Sequence, residues 1–369
     1  MKKIIEVSSD TNIGGAGRCL LILLKELDRS KFDPIALIPK NSLLKPRIEE
    51  LGVRVIEIDG MADKSLDWSS ISKLKKIFKE EKADLIHAHA SMSARIAGIM
   101  AGCKVVYTRH SVFDPPAKIS KGIGKIINGA INNFFAHRII AVAEAAKENL
   151  TKTGVSEKKI DVILNGVYPV QKSVETEALR ERFGISDGAK VVSIIARLED
   201  IKGHDYFIEA ADILLKKGYN AKFVIAGTGS YMEHLKEKVS DLGRESDIIF
   251  TGFISDVDKL MSITDIQANA SYGTEATSLS LLEGMSMGIP AVVSDFGGNP
   301  GVITDGQNGF IVKQKNSIEL ADAIEKLLKD EALYEKMSQE SVKIFGEKFT
   351  AQVMTKNTEA VYLKVLEGK

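Results

Sequence analysis

Two carboxylates eight residues apart, Glu275 and Glu283, sit in the run Ser271-Tyr272-Gly273-Thr274-Glu275-Ala276-Thr277-Ser278-Leu279-Ser280-Leu281-Leu282-Glu283-Gly284-Met285. Polar residues up to Ser278 read as a loop entering a helix, with Thr277 or Ser278 as its N-cap. Glu283 lies four residues after Leu279 and four before Met287, on the apolar stripe of that helix, where an unpaired carboxylate is costly. Glu275 precedes the helix and flanks its exposed N–H groups and the positive end of its dipole. Eight helical residues would span about 12 Å. One carboxylate could then hold each end of an elongated ligand, with an anion at the helix N-terminus between them. The plainer alternative is a surface Glu275 and a Glu283 locked in a structural ion pair. Arg197 and Lys202, in Ala196-Arg197-Leu198-Glu199-Asp200-Ile201-Lys202-Gly203-His204, fall in a strand-to-helix loop. Arg offers phosphate a bidentate fork and Lys a compact point charge. Together they could stabilise charge growing on a diphosphate as a bond to it breaks.

Glycine-rich turns supply places where bare backbone can approach a ligand. Gly14-Gly15-Ala16-Gly17 joins the first strand to the first helix, and Gly297-Gly298-Asn299-Pro300 follows a later strand. Neither they nor Gly227-Thr228-Gly229 make a G-x-G-x-x-G fingerprint, and no P-loop is present. His87 and His89 alternate at a strand end, so that at most one is expected to face a cleft. His110 ends another strand after Tyr107-Thr108-Arg109. Each histidine taken alone also fits a satisfied structural role, and no further ligands complete a zinc site.

The elements that must hold these residues alternate between short β-rich runs and helix-length amphipathic segments. Strands are expected at Ile4–Ser8, Pro34–Ile38, Val53–Ile58, Leu85–His87, Lys104–Thr108, Arg138–Val142 and Asp161–Leu164 in the first half. In the second half they fall at Lys190–Ile195, Lys222–Ala226, Asp247–Thr251, Asp265–Ala268, Ala291–Ser294 and Gly309–Val312. Such alternation means α/β architecture, with parallel sheets covered by helices on both faces. Asn165-Gly166-Val167-Tyr168-Pro169 breaks the pattern, which divides 369 residues into two domains. The first domain is expected at 1–168 and the second at 169–351. A final helix, from about 352 to 369, is assigned to the first domain. Open α/β sheets bind ligands at the carboxyl ends of their strands, so a cleft between those ends is the place for the site.

With 44% hydrophobic and 27% charged residues the chain is neither disordered nor membrane-spanning in composition. The apolar run after Met1-Lys2-Lys3 ends at Val7, too short for a secretory signal core. Cys19 and Cys103 offer no disulfide framework, so a cytoplasmic address is expected. A net charge of zero hides an asymmetry: residues 1–168 hold 27 Lys and Arg against 19 Asp and Glu, and the rest is correspondingly acidic. Lys118-Ile119-Ser120-Lys121-Gly122-Ile123-Gly124-Lys125-Ile126-Ile127, with Phe134 and Phe135 beyond, is basic and amphipathic. It fits a helix lying on an anionic membrane, with a crossover helix packed on the first sheet as the favoured alternative.

These motifs in this order resemble the retaining glycosyltransferases of the GT-B fold, specifically glycosyltransferase family 4 (glycosyl transferases group 1). Glu275 through Glu283 matches the family's E-x7-E motif, and Gly284-Met285-Ser286-Met287-Gly288-Ile289-Pro290 the run after it. Arg197 and Lys202 match its "GRL…KG" segment, and Gly297-Gly298-Asn299-Pro300 its "GG" turn. The resemblance implies two Rossmann-like domains facing across a cleft, with the C-terminal helix returning to the first. It also implies transfer of a sugar from a nucleotide-diphosphate donor, a UDP-sugar, to a saccharide or lipid-linked acceptor. In that reading Glu283 holds the ribose hydroxyls and Glu275 contacts the donor sugar. Arg197 and Lys202 bind the diphosphate, Gly14 and Gly15 approach the donor, and His110 lies near the transferred sugar. Phe253 and Ile254 read the base through their backbone, and Ala276, Thr277, Ser278 and Leu279 lie against the donor. No metal or other cofactor is implied, and no nucleic-acid partner. Three features depart from the family pattern: Ala276-Thr277-Ser278 after Glu275, Gly301 after the "GG" turn, and Ala196 before Arg197. A sugar-nucleotide epimerase on the same fold, or a silent nucleotide-sugar-binding protein, would share most of these residues. An NAD-dependent oxidoreductase is disfavoured by the missing fingerprint.

Overall fold

The computed structural model describes residues 1–368, which form two compact units. Met1–Val167 together with the C-terminal segment from Phe349 make the first, and Tyr168–Lys348 the second. Unit 1 is built on seven strands: β1 (Lys2–Ser8), β2 (Phe32–Pro39), β3 (Arg54–Ile58), β4 (Leu85–His89), β5 (Lys104–Arg109), β6 (Arg138–Ala141) and β7 (Ile160–Val162). They pair in the order β3-β2-β1-β4-β5-β6-β7, every pairing parallel. Unit 2 holds β8 (Lys190–Ile195), β9 (Ala221–Ala226), β10 (Ile248–Gly252), β11 (Ile266–Asn269), β12 (Ala291–Ser294) and β13 (Gly309–Val312). Their order is β10-β9-β8-β11-β12-β13, again all parallel.

Parallel strands are covered on both faces, so they read as nearly continuous apolar runs. In β1, Ile4, Ile5 and Val7 are fully buried, as are Val191, Val192 and Ile194 in β8. Helices bury one apolar stripe against each face. In unit 1, Leu20 and Leu24 of the first helix, Gly15–Glu26, pack with Ala36, Ile38 and Leu44. On the opposite face Leu74, Phe78, Ala94 and Ala97 cover Ile5, Val7 and Ile86. In unit 2 Phe207, Ile208, Phe223, Ile225 and Ile324 form the larger core, and Val191, Val224, Leu260 and Ile263 the smaller.

The strand order reverses between β1 and β4 in unit 1 and between β8 and β11 in unit 2. At such a switch point the connections leave to opposite sides and open a crevice at the carboxyl ends of the strands. The chain leaves unit 1 at Val167 and returns at Phe349. There Val167 N–H donates to Phe349 O (2.9 Å) and Ala351 N–H to Val167 O (3.0 Å). A Cβ on Gly166 would lie 2.2 Å from Thr350 O, so only glycine lets the two crossings touch. The last helix, Ala351–Leu366, packs on the Gly15–Glu26 helix and on β5 and β6 of the same unit.

Candidate active site

In unit 2 the switch point carries a charged cluster. The helix Leu279–Ser286 begins at Ser278, whose side chain accepts from Leu281 N–H as N-cap. Ser280 Oγ donates to Ile195 O at the end of β8 (3.1 Å), tying the start of this helix to the sheet. Glu275 lies just before it and is 9% exposed. Its Oε2 accepts from Lys202 Nζ (3.0 Å), Ser271 Oγ (3.0 Å) and Asn269 Nδ2 (3.3 Å). Lys202 Nζ also donates to Thr274 O (2.8 Å). Lysine and glutamate side chains are 11% and 10% exposed, a desolvated pair of the kind that must be well hydrogen-bonded to persist.

Glycines let the backbone close around this pair. Gly297 has φ +62°, and a Cβ there would stand 2.1 Å from Glu275 O; Gly298 N–H donates to the same oxygen (3.0 Å). Gly203, φ +73°, lets the loop of Lys202 lie against Ala270, where a Cβ would meet the carbonyl at 2.1 Å. Beneath them Asn299 Nδ2 donates to Ser294 Oγ (3.1 Å), which donates to Ser271 O. Loop and carboxylate are thus fixed from several elements.

Unit 1 carries a different cluster at its own switch point. Glu6 of β1 is wholly buried beside His87 of β4, its partner in register. Tyr362 O–H, from the last helix, donates to Glu6 Oε1 (2.7 Å). His87 Nδ1 and His89 Nε2 each stand 2.9 Å from Glu6 Oε2. His87 Nε2 meets Thr108 Oγ1 (2.7 Å), and His89 Nδ1 meets His110 Nε2 (2.9 Å). Burial alone would push the Glu6 carboxyl up; His87 and His89 reverse it and hold it well below the usual range. Burial, reinforced by neighbouring histidines, lowers His89 and, further, His110, so both rings are neutral near pH 7. Glu6, His87 and His89 stand close enough to suit a cation, yet the ligand atoms of the three already meet one another, Tyr362, Thr108 or His110 in a hydrogen-bonded network. A cavity of about 30 Å³ lies beside these rings, lined in part by Cys19, Asn165 and Met354. That is room for a water, not a sugar.

Of the residues singled out in the sequence, Arg197, Lys202, Phe253, Ile254, Glu275–Leu279 and Glu283 belong to unit 2. Gly14, Gly15 and His110 belong to unit 1. Lys202 and Glu275 are brought together, whereas Arg197 extends into solvent, its side chain 69% exposed and paired with Glu199 (2.8 Å). Ala276, Thr277 and Leu279 are buried, and Glu283, on the inward stripe of its helix, is 5% exposed. Phe253 is largely exposed after β10. Gly14 caps the first helix with open space where a Cβ would stand. The expectation that at most one of His87 and His89 faces a cleft rested on the two alternating in direction, and they do not. Residues i and i+2 of a strand share a face, and both rings turn onto Glu6, their centroids 4.2 Å apart. Glu6, Tyr362, Asn269 and Ser271 went unnoticed in the sequence. Only the lone acid inside the apolar run of β1 could have signalled the first of them. The helix Gly122–Phe134 does lie in the crossover between parallel β5 and β6, but it leaves its apolar face exposed instead of packing it on the sheet. Gly129 is its only buried residue, and Ile123, Ile126 and Phe134 are 75%, 70% and 66% exposed.

Two family models match nearly end to end: residues 13–170 as Glycosyltransferase Family 4 and residues 175–343 as Glycosyl transferases group 1. The chain belongs to glycosyltransferase family 4. It is 28% identical, over 72% of each protein, to the UDP-Gal:alpha-D-GlcNAc-diphosphoundecaprenol alpha-1,3-galactosyltransferase of Escherichia coli. The alpha-D-kanosaminyltransferase of Streptomyces kanamyceticus is 25% identical over 84% of each chain. Anabaena HepE, solved in complex with UDP, superposes with a TM-score of 0.84 at 22% identity, covering 99% of this chain and 100% of its own. The two parallel α/β sheets are therefore those of a GT-B glycosyltransferase, and the chain is a transferase enzyme.

Proposed function

We propose that this glycosyltransferase moves a hexosyl group from a UDP-sugar to a saccharide or lipid-linked acceptor, with retention at the anomeric carbon. The observation that carries the reading is the desolvated Lys202–Glu275 pair beside the N-terminus of the Leu279–Ser286 helix. Lys202, the helix N–H groups and a swung-in Arg197 would bind the diphosphate and stabilise its departure. Glu275 would contact the sugar, Glu283 the ribose, and the backbone at Phe253 and Ile254 the base. Gly14 and Gly15 would approach the donor, and His110 would lie near the transferred sugar.

A carboxylate whose Oε2 accepts from Lys202, Ser271 and Asn269 is a poor nucleophile. That supports substitution on one face. The bond from the anomeric carbon to the phosphate oxygen breaks, the acceptor oxygen bonds to the same face, and the acceptor's proton passes to the leaving phosphate. The cations and the helix terminus supply the electrostatics, so turnover needs no resident metal and should survive EDTA. The E. coli relative, with its UDP-galactose donor and diphosphoundecaprenol-linked acceptor, supports the donor class and an acceptor at a membrane. So does the exposed face of Ile123, Ile126, Ile127 and Phe134, flanked by Lys118, Lys121 and Lys125. This face would rest on anionic lipid at the cytoplasmic surface. No helix among the described residues is long and apolar enough to cross a membrane.

Calorimetric titration of wild type and Glu283→Ala with UDP, GDP, ADP and NAD tests the donor site. UDP binding that the variant loses supports the reading; binding of NAD alone, or of no nucleotide, overturns it. Sedimentation with anionic vesicles at low salt tests the membrane contact, and absence of binding there ends it.

A further inference from the structure

The cluster in unit 1 fixes where its protons must lie. Glu6 is ionised and accepts on both oxygens, Oε1 from Tyr362 O–H and Oε2 from His89, while His87 Nδ1 stands 2.9 Å from Oε2 and is hydrogen-bonded to the Tyr362 hydroxyl (2.6 Å). His89 Nε2 has only that carboxylate as its partner, so it carries the proton. A neutral His89 then has a bare Nδ1, and that lone pair stands 2.9 Å from His110 Nε2. Two bare nitrogens would repel at that distance, so the proton between them sits on His110 Nε2. His110, neutral in its turn, is left with a bare Nδ1. That nitrogen is buried and has no hydrogen-bond partner among the described residues. Leaving a buried acceptor unpaired is unfavourable, so the feature is not free.

We infer that Glu6 and His89 are positioning residues that lock His110 in the Nε2–H tautomer, so that its open Nδ1 accepts a hydrogen bond from a hydroxyl of the bound sugar. The second half rests on the reading that places His110 beside that sugar; the first half does not. His87 is bound into the same carboxylate and is held by Thr108, which keeps Glu6 from turning away. Tyr362 does the same from the last helix. The device selects by polarity: a group that can only accept, such as a carboxylate or a phosphate oxygen, meets a lone pair at His110 and is disfavoured, whereas a hydroxyl is paired. Its recognition is of a neutral polyol and not of the anionic end of the donor, which the lysine and arginine of unit 2 serve.

Long-range proton–nitrogen NMR on protein labelled with ¹⁵N in the six histidines tests the lock directly. In the ligand-free wild type, His89 and His110 should both show a protonated Nε2 and an unprotonated Nδ1. Glu6→Gln places an amide where the carboxylate stood, and His110 should become a mixture of tautomers. His89→Asn, whose Oδ1 replaces the bare Nδ1, should keep the Nε2–H form if Glu6→Gln does not fold. A protonated Nδ1 on His110 in the wild type overturns the inference, as does an unchanged tautomer in Glu6→Gln. Titration with UDP-glucose and UDP-N-acetylglucosamine, with UDP alone as control, tests the sugar contact separately. The Nδ1 resonance should shift with the sugar nucleotide and not with UDP. An intact tautomer with no such shift would sink the placement of His110 while leaving the lock standing. In turnover, Glu6→Gln should lower kcat about tenfold with a smaller change in KM.

Discussion

Each sheet of this glycosyltransferase buries one carboxylate at its switch point, and the two are held by opposite means. Glu275 in unit 2 is fixed by a permanent cation, Lys202, with Ser271 and Asn269 in support. Glu6 in unit 1 has no lysine or arginine among its partners, only a phenol and two imidazoles. A cation suits a site that must meet another charge, because it attracts an incoming anion directly. A network of neutral donors suits a site that must orient a ring without adding charge to it. Under the proposed function, the contrast would separate binding of the charged end of the donor from recognition of its neutral end.

The contrast breaks most severely at Lys202. Lys202→Ala should cut kcat by about 10²–10³, and it should also destabilise unit 2 because Glu275 is left buried and unpaired. Lys202→Ala with Glu275→Gln should recover much of that stability, measured by urea unfolding, while turnover stays lost. A double variant that regained activity would remove Lys202 from the chemistry. Next in size is Glu6→Gln, which should cost about 2–4 kcal/mol in the same unfolding assay, since three donors lose a charged acceptor. Tyr362→Phe removes one of those donors and should cost about 1–2 kcal/mol.

Titration sharpens the comparison further. His89 and His110 have folded pKa values below the ordinary imidazole value, so below about pH 6.5 the unfolded chain binds protons that the folded chain refuses. Stability from these rings is fully present above that pH and is lost as pH falls beneath it. Glu6, also depressed, adds a further loss below about pH 4.5, the range where it would protonate when unfolded. His204 in unit 2, brought to about 4 mainly by burial, contributes in the same direction. Thermal unfolding should thus show a lower Tm at pH 5 than at pH 7.5, and a variant with His110→Asn should show a shallower decline. An unchanged slope would mean that His110 titrates normally. The smallest expected effect is on stability in Arg197→Ala: the exposed pair with Glu199 should matter by less than about 0.5 kcal/mol, while turnover drops.

How much of this was legible in the sequence follows from the range of the interactions. Thirteen strands were expected from short apolar runs alternating with helix-length segments, and the structure places a strand at each. Ser278 as N-cap is likewise a local signal, written in the residues next to it. Lys202 and Glu275 were singled out separately by type and motif, but their pairing across 73 positions was not visible, and neither was the divergence of Arg197 toward Glu199. Glu6 went unnoticed inside the apolar run of the first strand. Its partners are 83 and 356 residues away, at His89 and Tyr362, and no local pattern links them. The strand ending set at His87 also stopped two residues short of the bonded length, which concealed His89 as its in-facing neighbour.

The return of the chain to unit 1 at Phe349 sets an order on synthesis. Tyr362 leaves the ribosome only after the whole of unit 2, yet it supplies the donor for Glu6, made before any of unit 2. Until then the nascent first unit holds an acid in its sheet without its phenol and with the Gly15–Glu26 helix uncovered on one side. Unit 2, being continuous, can finish first. Of the two units, the one begun first is thus completed last, and a nascent chain halted between Lys348 and the Ala351–Leu366 helix would carry an unfinished first unit beside a finished second.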